Sequence, residues 1–211
     1  PFSGTGTTPI ECMKNNIKSI GMEANDVVLF ASKVKSFYDL TADDLLNHLA
    51  FISYSIKDTF QLNDIYDDYG MLFLPRTNLR TISLADIPEI DTEKFNLKPN
   101  GFINPIPLKK IIIAKHIIKE ISSDEIRDFF LLSLIYVTIK LGSNISFGPE
   151  IYKRKNEISD FNFLSSFIDN SFKMINDVKA SGGQNFIKPI FLKGDSRKIN
   201  EYLSQDYLSK I

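Results

Sequence analysis

The sequence predicts an α/β protein in which pieces of a doubly wound sheet, at the two ends of the chain, bracket a large and mostly helical insertion. Three observations carry that expectation. The opening PFSGTGTTPIEC is a glycine-rich turn running into a helical segment, and KSIGME follows as a short apolar strand. Near the other end, NFIKPIFLKGD repeats the pattern of a strand closing on a turn. Between them lie roughly 140 residues whose apolar positions recur at helical spacing.

Taken in order, Thr8 and Pro9 fit an N-cap and a first-turn proline for a helix over IECMKNNIK, since a missing N–H costs nothing there. KSIGMEA is apolar enough for a buried strand ending at Glu23. Asn25 and Asp26 then start a helix over VVLFASKVKSFYDL, because their side-chain oxygens can accept first-turn N–H groups. Turn, helix, strand, acidic residue and helix make half of a doubly wound unit. At the far end a strand closes on Gly194–Asp195 and an amphipathic helix follows. A glycine turn of this kind works between a strand and a helix, yet no strand precedes it, and Ile211 falls where another strand would begin. Both ends are therefore expected to continue in a larger protein.

In the middle, Thr41 followed by Asp44 marks a capped start for ADDLLNHLAFISYSIKDTF. Residues 63–104 are rich in Asp, Asn, Pro and Gly and predict an irregular excursion. PLKKIIIAKHIIKEI and SSDEIRDFFLLSLIYVTIKLG are helices, the second with a capping box from Ser122 to Glu125 and Gly142 as its C-cap. DFNFLSSFIDNSFKMINDVKA is a further helix ending at Gly182–Gly183, a boundary signal. The expected organisation is an α/β part, residues 1–40 with 184–211, and a helical insertion, residues 41–183.

Composition excludes little. A hydrophobic share of 43% and a charged share of 24% suit a soluble globular chain. The net charge of -1 neither supports nor opposes a polyanionic partner. No apolar run reaches the roughly 18 residues of a membrane span. Cys12 is the sole cysteine, which rules out a disulfide framework or a cysteine metal cluster and fits a reducing, cytoplasmic setting. His48 and His116 fall in helices and are expected to be ordinary core or surface residues rather than metal ligands.

Three nucleotide-binding chemistries compete for FSGTGTT. A P-loop needs Lys after its last glycine, and Gly6 is followed by Thr7 and Thr8. A dinucleotide fingerprint needs a third glycine where Pro9 stands. What remains is a nucleoside-type cofactor without a phosphate chain, approached closely by backbone that lacks a Cβ. Glu23, 19 residues beyond Gly4, is placed at a strand end to accept from both ribose hydroxyls. Asp195, at the end of a third strand, can accept from an adenine amine. Taken singly, each is as well explained by a turn or a helix-capping carboxylate; the ordered set is the more specific signal.

With these residues in view, PFSGTGTTPIECMKNNIKSIGMEAN closely resembles the cofactor motifs of the DNA amino-methyltransferases. That family transfers a methyl group from S-adenosyl-L-methionine to adenine N6 or cytosine N4. FLKGDSRKI is similar to its third-strand motif, and FINPIPLKKIIIA with DEIRDFFLLSLIYVTIKLGSNISFGPE resembles the helical region of one branch. The resemblance implies a partial Rossmann-like methyltransferase sheet, a DNA partner, and a restriction-modification setting with an accompanying restriction endonuclease. Phe2, Ser3, Gly4, Thr5 and Gly6 would then wrap the methionine and ribose of the cofactor, Glu23 with Ala24 would hold the ribose, and Asp195 with Ser196 would reach the adenine. The Asp that the family places before this Pro-Phe is not in the chain, which starts at Pro1.

The family's catalytic signature, Asp, Asn or Ser followed by Pro-Pro and an aromatic, orients the target amine and stacks on a flipped-out base. The chain has no Pro-Pro; Asn104-Pro105-Ile106-Pro107 is the nearest string and is expected to start a helix instead. No catalytic residue is assigned, and the signature is expected beyond Ile211. Arg76, Arg80, Lys153, Arg154 and Lys155 are candidate phosphate contacts on loops. An RNA guanine-N2 methyltransferase, which shares the glycine turn, and a non-catalytic binding module with a vestigial cofactor site are the alternatives.

Overall fold

The computed structural model describes residues 2–37, 39–69, 101–147, 150–181, 186–198 and 201. The chain mixes helix and sheet and divides into two compact units, Pro1–Leu40 with Val178–Ile211, and Thr41–Asp177. Gly182 and Gly183 lie outside the described residues, as does most of the helix expected after Asp195.

In the smaller unit, α1 (Thr7–Lys14) starts ahead of the expected Thr8 cap, with Gly6 in the N-cap place at φ 83° and no side-chain cap. The cause is the turn itself: the Gly6 N–H donates to the Ser3 carbonyl at 2.9 Å, and that tight reversal needs a left-handed residue. Pro9 then falls third in the helix, where an N–H would still lack an intrahelical acceptor. β1 (Ile20–Glu23) pairs in parallel with β4 (Ile190–Lys193), with Ile20 opposite Ile190 and Glu23 opposite Lys193. Carbonyls alternate in direction along a strand. The Ser19 and Glu23 carbonyls face β4, and the Met22 carbonyl accepts the Ser3 N–H at 2.9 Å on the opposite edge. β1 is thus flanked by the incoming chain on one side and β4 on the other. α2 (Asp26–Val34) packs on both strands. Its cap is Asn25, whose Oδ1 accepts the Val27 and Val28 N–H groups at 3.0 and 3.1 Å. Met13, Met22 and Leu29 are buried at the centre of this unit.

The larger unit is helical. α3 (Ala42–Leu62) is capped by Thr41, whose Oγ1 accepts the Asp44 N–H at 3.1 Å. α4 (Pro105–Lys119) starts after Asn104, with proline in its first turn where no N–H is missed. α5 (Asp124–Val137) is capped by Ser123, one residue later than expected, since Ser123 Oγ accepts the Ile126 N–H. Gly142 is not a left-handed α-helical cap either. The helix widens into a π turn over Thr138–Gly142, and a Cβ at Gly142 would stand 3.0 Å from the Phe161 ring. A short antiparallel hairpin follows, β2 (Ile145–Phe147) and β3 (Ile151–Lys153), then α6 (Phe163–Ser181). α4 packs against both α3 and α5. Phe163 anchors the core, its ring centroid 6.2 Å from that of Phe60 and 6.0 Å from that of Phe167. Such aromatic pairs add directional contacts to their burial.

Candidate functional site

The smaller unit gathers the glycine turn and both strand-end carboxylates at one edge of its parallel pair. Glu23 ends β1, and its backbone carbonyl accepts the Gly194 N–H at 3.1 Å, so the residue preceding Asp195 is bonded directly to it. The Glu23 side chain turns towards the opening loop: Oε2 accepts the Gly4 N–H and Oε1 the Asn25 N–H, both at 3.0 Å. Each carboxylate oxygen keeps a further lone pair. The turn, Glu23 and Asp195 therefore lie side by side, in the order incoming chain, β1, β4.

The loop is held from below by a residue that carries no sequence signal. Ser32, fully buried on α2, donates from Oγ to the Gly4 carbonyl at 2.7 Å, with the Val28 carbonyl a second acceptor at 3.0 Å. The Lys35 ammonium reaches the Thr5 carbonyl at 3.4 Å. Gly6 is closed in, because a Cβ there would stand 3.0 Å from Ser32 Cβ. Gly4, at φ 54°, is the opposite case, with no atom beyond its own chain neighbours within 4 Å of where its Cβ would be. Backbone at Gly4 is consequently approachable by a ligand. Phe2, also at positive φ, is largely exposed, and Ser3 and Thr5 complete the loop. Ala24 is exposed between Glu23 and Asn25.

Asp195 is already engaged. Its carboxylate takes a forked contact from Arg197, Nε to Oδ1 at 3.0 Å and to Oδ2 at 2.9 Å, and Oδ1 accepts the Arg197 N–H at 3.0 Å. These bonds hold the carboxyl well below the usual range, at about 2, so it is an anion at neutral pH. Ser196 opens the short 3-10 turn that Asp195 caps. The spacing of Asp195 and Arg197 is a feature the sequence contained without announcing, since an i,i+2 pair is not a regular helical contact.

The candidate phosphate contacts among the described residues belong to the larger unit. Arg76 and Arg80 fall outside the described residues. Lys153, the last residue of β3, pairs with Glu157 at 2.6 Å. Arg154 points back into its own unit, bonding the Ile145 and Lys140 carbonyls at 3.0 and 2.9 Å. These two bonds make it a tie between the β2–β3 hairpin and the turn over Thr138–Gly142. Lys155 is exposed. Among the described residues no group of three or more His, Cys, Asp and Glu is placed to hold a metal, and no helix is long and apolar enough to cross a membrane.

No family model, no curated protein and no solved structure matches this chain.

Proposed function

We propose that the smaller unit is the cofactor-binding portion of an S-adenosyl-L-methionine-dependent methyltransferase acting on an exocyclic amine of adenine or cytosine in DNA. The observation that carries this reading is the Glu23 clip, which fixes a strand-end carboxylate against an approachable Gly4 and beside the strand that leads to Asp195. Open parallel sheets bind ligands outside the carboxyl ends of their strands, and a carboxylate there can take both ribose hydroxyls. Glu23 would hold the ribose, the backbone of Gly4 would pass under the cofactor, and Asp195 would accept from the adenine amine. The cofactor supplies an electrophilic methyl group; this chain's residues bind and orient it. The sequence contains no Pro-Pro-aromatic signature, and no catalytic group is assigned.

Calorimetry with S-adenosylmethionine and S-adenosylhomocysteine tests the assignment. Saturable binding of both is expected, weakened by at least about tenfold in Glu23→Ala, the order of a lost charged hydrogen bond pair. A folded chain that takes up neither ligand, or that binds NAD equally well, sinks the cofactor reading. Methyl-transfer assays of the parent enzyme on duplex DNA and on tRNA then decide between the DNA and RNA substrates.

A further inference from the structure

The open space at Gly4 comes with a cost. Lacking a Cβ, the residue admits a close approach, and for the same reason it is the least able to keep one backbone conformation. Its neighbours in the turn are fixed. The Ser3 N–H donates to the Met22 carbonyl at 2.9 Å, and the Gly6 N–H to the Ser3 carbonyl at 2.9 Å. Gly4 and Thr5 span the gap between those two anchors. A ligand that had to order this span on arrival would lose affinity by the fraction of chains not already in the competent form.

Two side chains take hold of Gly4 at opposite ends of its backbone. Glu23 accepts its N–H at 3.0 Å, and Ser32 Oγ donates to its carbonyl at 2.7 Å. The Ser32 hydroxyl has one proton to give. Its second acceptor, the Val28 carbonyl at 3.0 Å, is the local one that a helical serine ordinarily finds. The shorter bond goes instead to a loop 28 residues earlier. Ser32 also fills the space beside Gly6, its Cβ 3.0 Å from where a Gly6 Cβ would stand. One fully buried residue of α2 therefore meets both glycines of the turn. Ser36, just beyond α2, makes the contrast: it too is buried, and its Oγ donates to the Lys33 carbonyl at 2.6 Å, three residues back.

We infer that Ser32 is a positioning residue of the cofactor site, holding the Gly4 peptide in the orientation that a nucleoside ligand meets, so that the fold and not the ligand orders the loop. The inference rests on the cofactor reading proposed above and adds to it a residue beneath the site. Hydrogen exchange followed by NMR on the ligand-free full chain, with calorimetry against S-adenosylhomocysteine on the same samples, tests it. In Ser32→Ala the Gly4 and Gly6 amides are expected to exchange about threefold to tenfold faster, the fold-change of one neutral hydrogen bond. S-adenosylhomocysteine affinity is expected to fall by about threefold or more. The Leu29 amide, inside α2, should hold or slow, because alanine is the better helix former. A merely structural loss would speed all three. Ser32→Cys, close in shape but a weak donor, should follow Ser32→Ala. Ser36→Ala should leave exchange and affinity at their wild-type values.

Unchanged Gly4 and Gly6 exchange in Ser32→Ala, unchanged affinity despite faster exchange, an equal loss in Ser36→Ala, or wild-type behaviour in Ser32→Cys each overturns the inference. The two proposals fail separately. A folded wild-type chain that takes up neither S-adenosylmethionine nor S-adenosylhomocysteine sinks the methyltransferase reading, while the exchange rates still decide whether Ser32 holds Gly4. Wild-type binding that survives Ser32→Ala intact sinks the Ser32 assignment alone.

Discussion

The Glu23 carboxylate bridges Gly4 and Asn25, accepting one backbone N–H from each at 3.0 Å. A single side chain therefore joins the opening turn, the end of β1 and the cap residue of α2. Charged hydrogen bonds of this kind are shorter and stronger than neutral ones. The clip explains how a loop with two positive-φ glycines keeps one shape.

Glu23→Ala is expected to destabilise the smaller unit by about 1–3 kcal/mol, because two N–H groups lose a charged acceptor. Glu23→Gln should fall between, since its amide oxygen can replace only one of the two acceptors and its NH2 then faces a donor. Urea unfolding followed by circular dichroism measures both. Stability within about 0.5 kcal/mol of wild type in Glu23→Ala, the size of an ordinary surface change, would show that the clip does not hold the loop.

The two glycines of the turn separate backbone strain from crowding. Both have positive φ, 54° at Gly4 and 83° at Gly6, so alanine pays a left-handed penalty of about 1–2 kcal/mol at either. Only Gly6 adds a clash, with Ser32 Cβ at 3.0 Å and Ser32 Cα at 3.3 Å from the new methyl. Gly6→Ala should therefore lower the thermal midpoint further than Gly4→Ala, and Gly6→Ala/Ser32→Gly should recover part of the difference. Equal midpoints for the two single variants would contradict the crowding.

What was legible in the sequence follows from how local each signal is. The strand over IGME, the Asn25 and Thr41 caps and the long helices rest on neighbours within a turn or two, and they stand where the residues place them. The cap of α1 was misplaced because the deciding bond, Gly6 N–H to the Ser3 carbonyl, forms before the helix and makes glycine rather than threonine the entry residue. The π turn at 138–142 sets Gly142 against the Phe161 ring, a neighbour 19 residues away in sequence that no periodicity reports. The hairpin was missed because three-residue strands are shorter than any alternation test can use. In the candidate site, Gly4, Glu23 and Asp195 could be named from order and spacing. Ser32 could not, since a serine within a helix gives no sign that it reaches back to a loop 28 residues earlier.

The Asp195–Arg197 fork makes a pH prediction. A carboxyl held down to about 2 contributes stability that is complete above its ordinary value of 3.8 and is lost as pH falls from there through about 2. Carboxyl NMR titration should find its midpoint near about 2, and Arg197→Ala should return it towards 3.8. The same variant frees both oxygens, so S-adenosylmethionine affinity should hold or tighten in Arg197→Ala and fall in Asp195→Ala. A midpoint unmoved by the loss of Arg197 would rule the fork out as its cause.

The larger unit contains a buried ionic arrangement. Lys110 is fully buried, with its Nζ 3.3 Å from Asp67 Oδ2 and donating to Asp160 Oδ1 at 2.7 Å and to the Phe161 carbonyl at 3.0 Å. Asp67 Oδ2 also accepts the N–H of Phe163, the first residue of α6, at 3.0 Å. One carboxylate thus caps a helix 96 residues away while facing a buried ammonium. Burial raises the Asp67 pKa, and the nearby Lys110 charge opposes that rise without cancelling it. By linkage, a raised acid contributes stability that is complete below the ordinary Asp range and is lost as pH climbs through its folded value. Lys110→Met removes the opposing cation and leaves a buried carboxylate uncompensated, so a loss of about 3–5 kcal/mol is expected near neutral pH. That loss should shrink as the pH is lowered, because protonating Asp67 removes the unpaired charge. Lys110→Met/Asp67→Asn should regain most of it at neutral pH, since Asn keeps an acceptor for the Phe163 N–H without carrying charge. Urea unfolding of the two variants from neutral to mildly acid pH measures both effects. A Lys110→Met loss that stays constant with pH, or a double variant no more stable than the single one, would assign the cost to packing around the lysine stem instead.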